Sequence, residues 1–259
     1  MRISVLTENH AGINTLAEHG LSYLIEFDDK KILFDMGQSD MFLKNAIKLK
    51  INLEDINMIV LSHGHFDHGN GLEYLSGGNL LCHPDCFARR YRKSDYSYIG
   101  LAHARDKLKE KFNLTTSKKP YKISERIYFQ GEIPRLTCFE SQSTSFIFED
   151  GTPDFVTDDS SLILLLSEGL FIVTGCGHSG IVNTIENAKK ITGKENVYGI
   201  MGGFHLKELD LQLNETIKYL RKSEVKHILP CHCTELPALS AFHFNFGIRQ
   251  IKTGDILNF

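Results

Sequence analysis

Residues 62–69 read SHGHFDHG and place four potential metal ligands within six residues. The stretch follows the apolar run MIVL, which predicts a short buried strand. His63 and His65, two residues apart at the end of that strand, can bind one cation through their imidazole nitrogens. Asp67 and His68 lie on the turn into the next element and can face a second cation. The pattern therefore predicts a metal site at this strand end.

The same arrangement recurs at three later strand ends. Short apolar runs are followed by small-residue turns that carry His178, His205 and His232. If these strands lie side by side in one fold, their ends converge on a cleft lined by histidines. A single histidine at a strand end is more often a packed or hydrogen-bonded residue than a ligand, but this repetition is hard to ascribe to packing. His178 and His232 could complete the two sites, one each.

A set of imidazole and carboxylate ligands suits zinc, iron or manganese. Two such cations about 3.5–4 Å apart would activate a water molecule and bind an oxygen-rich substrate. We therefore expect two divalent cations; the ligand types do not choose among these metals, and Zn²⁺ is taken as the first candidate, with Mn²⁺ and Fe²⁺ as alternatives.

The composition is that of an ordinary globular protein, with 42% hydrophobic and 24% charged residues. A formal net charge of −3 lacks the basic excess that nucleic-acid binding needs. The longest apolar run, residues 162–166, is too short to cross a bilayer, and no signal-peptide pattern opens the chain. We expect a cytoplasmic protein that acts on an anionic small molecule, with no nucleic-acid or membrane partner; its oligomeric state is left open.

Strand and helix patterns alternate in both halves of the chain. Residues 40–50 have apolar side chains at helical spacing, and residues 162–166 turn at 167–169 into a second strand. Residues 84–135 are more polar and irregular. We predict a single domain over residues 1–259 with an insertion or lid at about 84–135, built as a pair of sheets packed face to face with helices outside.

The cysteines give no separate metal motif. Cys82 and Cys86 resemble half of a zinc finger, but no second pair lies at a suitable distance. Cys231 and Cys233 alternate around His232, so in an extended segment they would point away from it. We expect them to be packing residues, with reduced thiols.

The motif HGHFDH matches the HxHxDH signature of the metallo-β-lactamase superfamily, and the downstream histidines match its order. Within that superfamily the chain resembles the branch related to the dihydropterin–ribofuranosylaminobenzene 5′-phosphate synthase of methanopterin biosynthesis. The segments that carry the resemblance are residues 17–22, 33–38, 61–72, 174–183, 202–206 and 231–234. The resemblance implies an α/β fold of the αββα sandwich type, with a dinuclear site at one edge of the two sheets.

The resemblance also implies how the ligands are shared. It assigns one cation to His63, His65 and His178, and the other to Asp67, His68 and His232.

One position departs from the family pattern. Many superfamily enzymes place an aspartate after the penultimate strand to bridge both metals, but here that position reads Gly202-Gly203-Phe204-His205. His205 either enters the coordination sphere or faces the substrate as a proton donor or phosphate contact, and we favour the substrate role.

Other residues are candidates for contact with the substrate or the ligands. His19 lies in a turn between strands and could reach the cleft. Arg90 belongs to the basic run RRYRK, which could bind a phosphate, although charge runs are usually solvated faces. Asp35 ends a buried strand and could orient a ligand histidine or cap a turn. Backbone amides at residues 177–180 favour an anion at the start of a helix.

Three functions fit these residues. The first is a metal-dependent hydrolase in which metal-activated water attacks an anionic, phosphorylated small molecule, Asp67 holds a metal and the water, and His205 assists the leaving group. The second is a transferase that condenses a dihydropterin diphosphate with an aminobenzene ribofuranoside 5′-phosphate. The third, a non-catalytic metal or ligand sensor, is disfavoured by the complete ligand set. RNA processing is disfavoured by the charge, and flavin redox chemistry by the lack of a flavodoxin-like segment.

Overall fold

The computed structural model describes all 259 residues, which form two compact units. Unit 1 comprises Met1–Lys118, Ser145–Asp154 and Lys252–Phe259, and unit 2 comprises Lys119–Thr144 and Phe155–Ile251. None of the helices is both long enough and apolar enough to cross a membrane.

Unit 1 contains a seven-stranded mixed sheet. In the order of their hydrogen bonding, its strands are β15 (Ile256–Asn258), β1 (Arg2–Thr7), β2 (Ser22–Phe27), β3 (Lys30–Phe34), β4 (Met58–Val60), β5 (Gly78–Cys82) and β7 (Phe112–Thr116). Strands β15, β1, β2 and β3 pair antiparallel, whereas β3, β4, β5 and β7 are parallel. The carboxyl ends of β3 and β4 therefore lie together at one edge of this sheet.

The rest of the regular structure of unit 1 comprises a short ribbon, three α-helices and two 3₁₀ helices, Asn70–Tyr74 and Pro84–Phe87. Strands β6 (Arg90–Arg92) and β10 (Phe146–Phe148) form the ribbon, and the helices are α1 (Met41–Leu49), α2 (Phe66–Gly69) and α3 (Arg105–Lys111). The predicted helix over residues 40–50 is thus confirmed, with Phe42 and Ala46 on its buried face.

Unit 2 contains a six-stranded sheet. Its strands, in the order of their hydrogen bonding, are β14 (His227–Cys231), β13 (Val197–Gly203), β12 (Gly169–Thr174), β11 (Ser161–Leu166), β9 (Ile127–Phe129) and β8 (Tyr121–Lys122). The predicted hairpin is confirmed, because β11 pairs antiparallel with β12. Strands β12, β13 and β14 are parallel, so the turns that follow them leave the sheet at the same edge.

Three helices cover this second sheet: α4 (Ile181–Thr192), α5 (Leu211–Lys222) and α6 (Leu236–Phe246). Apolar residues of α4, including Ile185 and Ala188, join Ile172 and Ile200 of the strands in one buried cluster. Helix packing on the strands fixes the turns after β12, β13 and β14. The stretch 84–135 is divided between the two units, and it supplies β7 to the first sheet and β8 and β9 to the second.

Candidate metal centre

The loop after β4 brings three histidines together in unit 1. The ring centroid of His63 lies 4.5 Å from that of His65 and 4.3 Å from that of His68. Nε2 of His63 is 3.0 Å from Nδ1 of His65. Two nitrogens bound to one tetrahedral Zn²⁺ lie about 3.3 Å apart, given Zn–N bonds of about 2.0–2.1 Å. The donor spacing of this pair therefore fits a shared cation.

A buried carboxylate orients His68 in this loop. Asp35 directly follows β3, is fully buried and has a positive φ of 54°. Nδ1 of His68 lies 2.6 Å from Asp35 Oδ2, and because a carboxylate only accepts, Nδ1 carries the proton. Nε2 of His68 is left with its lone pair, which is the tautomer that a metal ligand requires.

Ser62 fixes which ring nitrogen of His63 carries the proton. Its backbone N–H donates to Asp35 Oδ1 at 2.7 Å, and its hydroxyl donates to Asp35 Oδ2 at 2.7 Å. The hydroxyl has only one proton, so its 2.9 Å contact with His63 Nδ1 makes that nitrogen the donor. Both His63 and His68 thus have Nε2 as the atom that can bind a cation.

The burial of this loop keeps His63 neutral. Removal from water, assisted by the neighbouring His68 and His65, lowers the pKa of His63 well below its ordinary value. Neutral imidazole is the form that binds metals. Gly64, between the two histidines, packs so closely that a Cβ there would lie 1.9 Å from the carbonyl oxygen of Cys86. The glycine in the motif is therefore required by packing.

Asp67 is held by the loop between β1 and β2. Its Oδ2 lies 3.1 Å from Nε2 of His19 and 3.8 Å from Nε2 of His68. The hydrogen bond with Asp67 raises the pKa of His19, whose ring is partly exposed. The carbonyl of His19 accepts a hydrogen bond from Gln38 Nε2 at 2.9 Å, which fixes the loop. His19 therefore contacts a predicted metal ligand directly.

In unit 2, the turns after β12 and β13 bring two predicted site residues together. The rings of His178 and His205 have centroids 4.4 Å apart. His205 has a positive φ of 47°, which turns the chain sharply at the end of β13. Gly202 has a φ of 129°, and a Cβ there would lie 2.0 Å from the carbonyl oxygen of Thr174. No aspartate side chain can therefore stand at position 202. The role of His205, ligand or substrate contact, stays a prediction.

The backbone amides at the start of α4 are already occupied. Ser179 N–H donates to Asp159 Oδ2 at 2.9 Å, and the N–H groups of Val182 and Asn183 donate to Glu140 at 2.8 and 2.9 Å. Burial raises the pKa of both carboxyl groups, that of Asp159 to about 6. The predicted preference for an anion at this helix start is satisfied by two carboxylates of the chain itself, which hold the turn that carries His178.

His232 follows β14 and lies beside two cysteines of unit 2. It has a positive φ of 54°, so the segment around it is not extended. For that reason the expectation that Cys233 points away from His232 was wrong. Donor atoms of Cys176, His232 and Cys233 all lie within 4.8 Å of one another. Cys231 is buried, in keeping with a packing role.

Arg90 lies inside unit 1. It is 1% exposed, its Nε is 3.4 Å from Asp154 Oδ2, and it donates to the carbonyl of Asp85 at 3.1 Å. A role in phosphate binding stays a prediction for this residue, whose guanidinium is engaged within the unit.

Comparison with known proteins gives the family. A sequence profile described as the metallo-beta-lactamase superfamily matches residues 16–77. An uncharacterized protein of Methanocaldococcus jannaschii is 38% identical over 247 residues, which cover 92% of each chain. The 7,8-dihydropterin-6-methyl-4-(beta-D-ribofuranosyl)-aminobenzene-5'-phosphate synthase of the same organism is 34% identical, over 100% of this chain and 97% of the synthase.

Solved structures agree. The crystal structure of a metal-dependent hydrolase of the beta-lactamase superfamily is 30% identical and has a TM-score of 0.89, with coverage of 100% of this chain and 99% of the other. A diphosphatase from the PhnP family, 14% identical over 100% of this chain and 97% of its own, shares the fold with a TM-score of 0.57. These likenesses confirm the predicted fold class. The chain belongs to the metallo-beta-lactamase superfamily, and within it is similar to the dihydropterin-related synthase.

Proposed function

We propose that this protein is a metal-dependent hydrolase that acts on an anionic, phosphorylated small molecule. One observation carries the proposal: Asp35 and Ser62 hold His63 and His68 in the tautomer that leaves Nε2 for a cation. Superfamily membership supports it, as does the similarity to a structure described as a metal-dependent hydrolase. The net charge of −3 favours a small-molecule substrate over a nucleic acid.

The proposed ligands follow the family pattern. His63, His65 and His178 would hold one cation, and Asp67, His68 and His232 the other. Imidazoles and a carboxylate are ligands that Zn²⁺ accepts, with Mn²⁺ and Fe²⁺ as alternatives. Two bound cations would supply a water of lowered pKa and would neutralise negative charge on the substrate.

Side chains other than the metal ligands would take part in proton transfer and substrate binding. His205, which is partly exposed and lies beside His178, would give a proton to a leaving group. Asp67 would keep its orientation through His19, and the partly exposed ring of His19 could contact an anionic substrate. Arg90 could do so only if its pair with Asp154 opened. The proposed catalytic residues are therefore Asp67 and His205.

A second function is favoured by one comparison. The relative named as a synthase is 34% identical along the whole chain. If this protein shared that activity, it would condense a dihydropterin diphosphate with an aminobenzene ribofuranoside phosphate and release pyrophosphate. The same ligands would then stabilise the leaving diphosphate, so the ligand set does not separate the two functions.

Parallel assays on one preparation test the choice. Hydrolysis of a panel of phosphoesters and lactones would be measured before chelation, after chelation, and after the metal is restored. Pyrophosphate release from the two synthase substrates would be measured under the same conditions. We expect chelator-sensitive hydrolysis that is lost in His63→Ala and retained in His243→Ala, whose ring is exposed on α6. Pyrophosphate release without hydrolysis would overturn the hydrolase in favour of the synthase.

A further inference from the structure

Unit 2 contains a cluster of two thiols and an imidazole that the proposed catalytic ligand set does not use as a whole. The Sγ atoms of Cys176 and Cys233 and a ring nitrogen of His232 lie within 4.8 Å of one another. Cys176 is 3% exposed and His232 is 7% exposed. Donors of a tetrahedral Zn²⁺ with two sulfurs and one nitrogen are about 3.5–3.8 Å apart, given Zn–S bonds of about 2.3 Å. Small side-chain rotations would bring the three donors to that spacing.

The chain makes room for this cluster with a glycine. A Cβ at Gly203 would lie 2.6 Å from Cys233 Sγ and 3.1 Å from Cys176 Cα. The space beside the end of β13 is therefore taken by the sulfur of Cys233, and any side chain at position 203 would collide with it.

The charge of the cluster suits a buried divalent cation. Two thiolates and a neutral imidazole supply two negative charges, which balance a cation that is removed from water. The thiol of Cys233 now donates to the carbonyl of Cys176, with sulfur 3.4 Å from that oxygen. Cation binding would release both thiol protons to solvent and replace this weak hydrogen bond by a metal–sulfur bond.

We propose that Cys176, His232 and Cys233 form a thiolate-rich site for a thiophilic divalent cation such as Zn²⁺. The inference rests on the proposed function in taking His232 as a metal ligand; because one imidazole nitrogen binds one cation, the two thiolates would bind the cation that His232 holds and would add no third one. Thiolate ligands favour soft cations, so this site would select Zn²⁺ over Mn²⁺ or Mg²⁺.

Cobalt substitution tests the site without any activity assay. The reduced, metal-free protein would be titrated with Co²⁺, and the near-ultraviolet band that thiolate-to-cobalt charge transfer produces would be recorded. We expect this band in the wild type and in Cys138→Ser, whose thiol is exposed in the same unit. Single Cys176→Ser and Cys233→Ser variants should weaken it, and the double variant should lack it.

A second measurement keeps the test valid if the double variant does not fold. Alkylation of Cys233 in the wild type would be followed by peptide mass spectrometry, with and without Zn²⁺. We expect Zn²⁺ to slow it by at least about tenfold, because a bound thiolate is no longer a free nucleophile. Cobalt binding without the band, or alkylation that Zn²⁺ leaves unchanged, would overturn the site.

The failure of this inference can be told from the failure of the proposed function. His65→Ala should abolish hydrolysis and leave the thiolate band unchanged, because His65 is not one of the three donors of this cluster. A wild-type protein that binds cobalt without the band but hydrolyses phosphoesters would overturn the thiolate site alone. A wild-type protein that shows the band but no chelator-sensitive hydrolysis would overturn the hydrolase alone.

Discussion

Replacing Asp35 by asparagine should separate metal affinity from stability. In the wild type, Oδ1 accepts from the Ser62 N–H, while Oδ2 accepts from the Ser62 hydroxyl and from His68 Nδ1. Asparagine keeps one oxygen for the Ser62 N–H and tolerates the positive φ of this position. Its NH₂ group, however, faces His68 Nδ1, which must then become an acceptor. The proton of a neutral His68 moves to Nε2, the atom that should bind the cation.

The expected magnitudes follow from these contacts. Loss of a partner that orients a metal ligand costs about 10–100-fold in metal affinity, or about 1.4–2.7 kcal/mol. Asp35→Ala should show a similar loss of affinity. It should also lower the free energy of unfolding of the metal-free protein by about 1–3 kcal/mol for each buried donor left without an acceptor. Asp35→Asn should lose less stability, because the Ser62 N–H keeps its partner.

Two measurements check this prediction. Zinc affinity would be determined by competition with a chromophoric chelator, and the stability of the chelated protein by urea unfolding. Asp55→Asn is the matched control, because Asp55 is an exposed carboxylate of the same unit. A folded Asp35→Asn protein whose zinc affinity stays within about twofold of the wild type would refute the tautomer argument.

Three other substitutions test the surroundings of the proposed ligands. Gly64→Ala should destabilise the protein by at least about 1–3 kcal/mol in urea unfolding, because its Cβ would collide with the Cys86 carbonyl; unchanged stability would contradict the packing. Glu140→Ala should lower the free energy of unfolding by about 2–3 kcal/mol, because two amides at the start of α4 would lose their acceptor. Glu195→Ala, at an exposed carboxylate, should change it little, and equal effects of the two substitutions would contradict the capping role of Glu140. Burial raises the pKa of Asp159 from 3.8 to about 6. The folded state therefore keeps this proton up to a higher pH than the unfolded state does, and the free energy of unfolding of the wild type falls as the pH rises from about 4 to about 6. Chelated Asp159→Asn should therefore gain about 3 kcal/mol relative to the wild type between about pH 4 and pH 7, and a pH-independent difference would refute the raised pKa.

The regular elements could be predicted because their signals are local. The helical spacing of residues 40–50 indicated α1, and the apolar run with its Ser-Glu-Gly turn indicated the β11–β12 hairpin. The metal-binding motif at residues 62–69 could also be located from the sequence, because histidines so close together at the end of a strand are rarely explained by packing alone. Strands β7 and β9 have weaker burial patterns and lie within residues 84–135, for which the sequence pattern predicted no regular element.

Contacts between distant segments could not be predicted. Glu140 reaches α4 across more than forty residues of sequence, and nothing in its neighbours marks it as a helix cap. The position of Cys233 depends on the positive φ of His232, a conformation that the residue type does not suggest. Asp35 was a candidate for orienting a ligand, but only the fold shows that His68 is the histidine it contacts.

The metal content of the purified protein tests the account most simply. Metals would be quantified per chain in the wild type, in His63→Ala, and in the control His243→Ala, each after reconstitution with Zn²⁺ and removal of excess metal. We predict about two cations per chain in the wild type and in the control, and fewer in His63→Ala. A reconstituted wild-type protein that retains no metal would contradict the account.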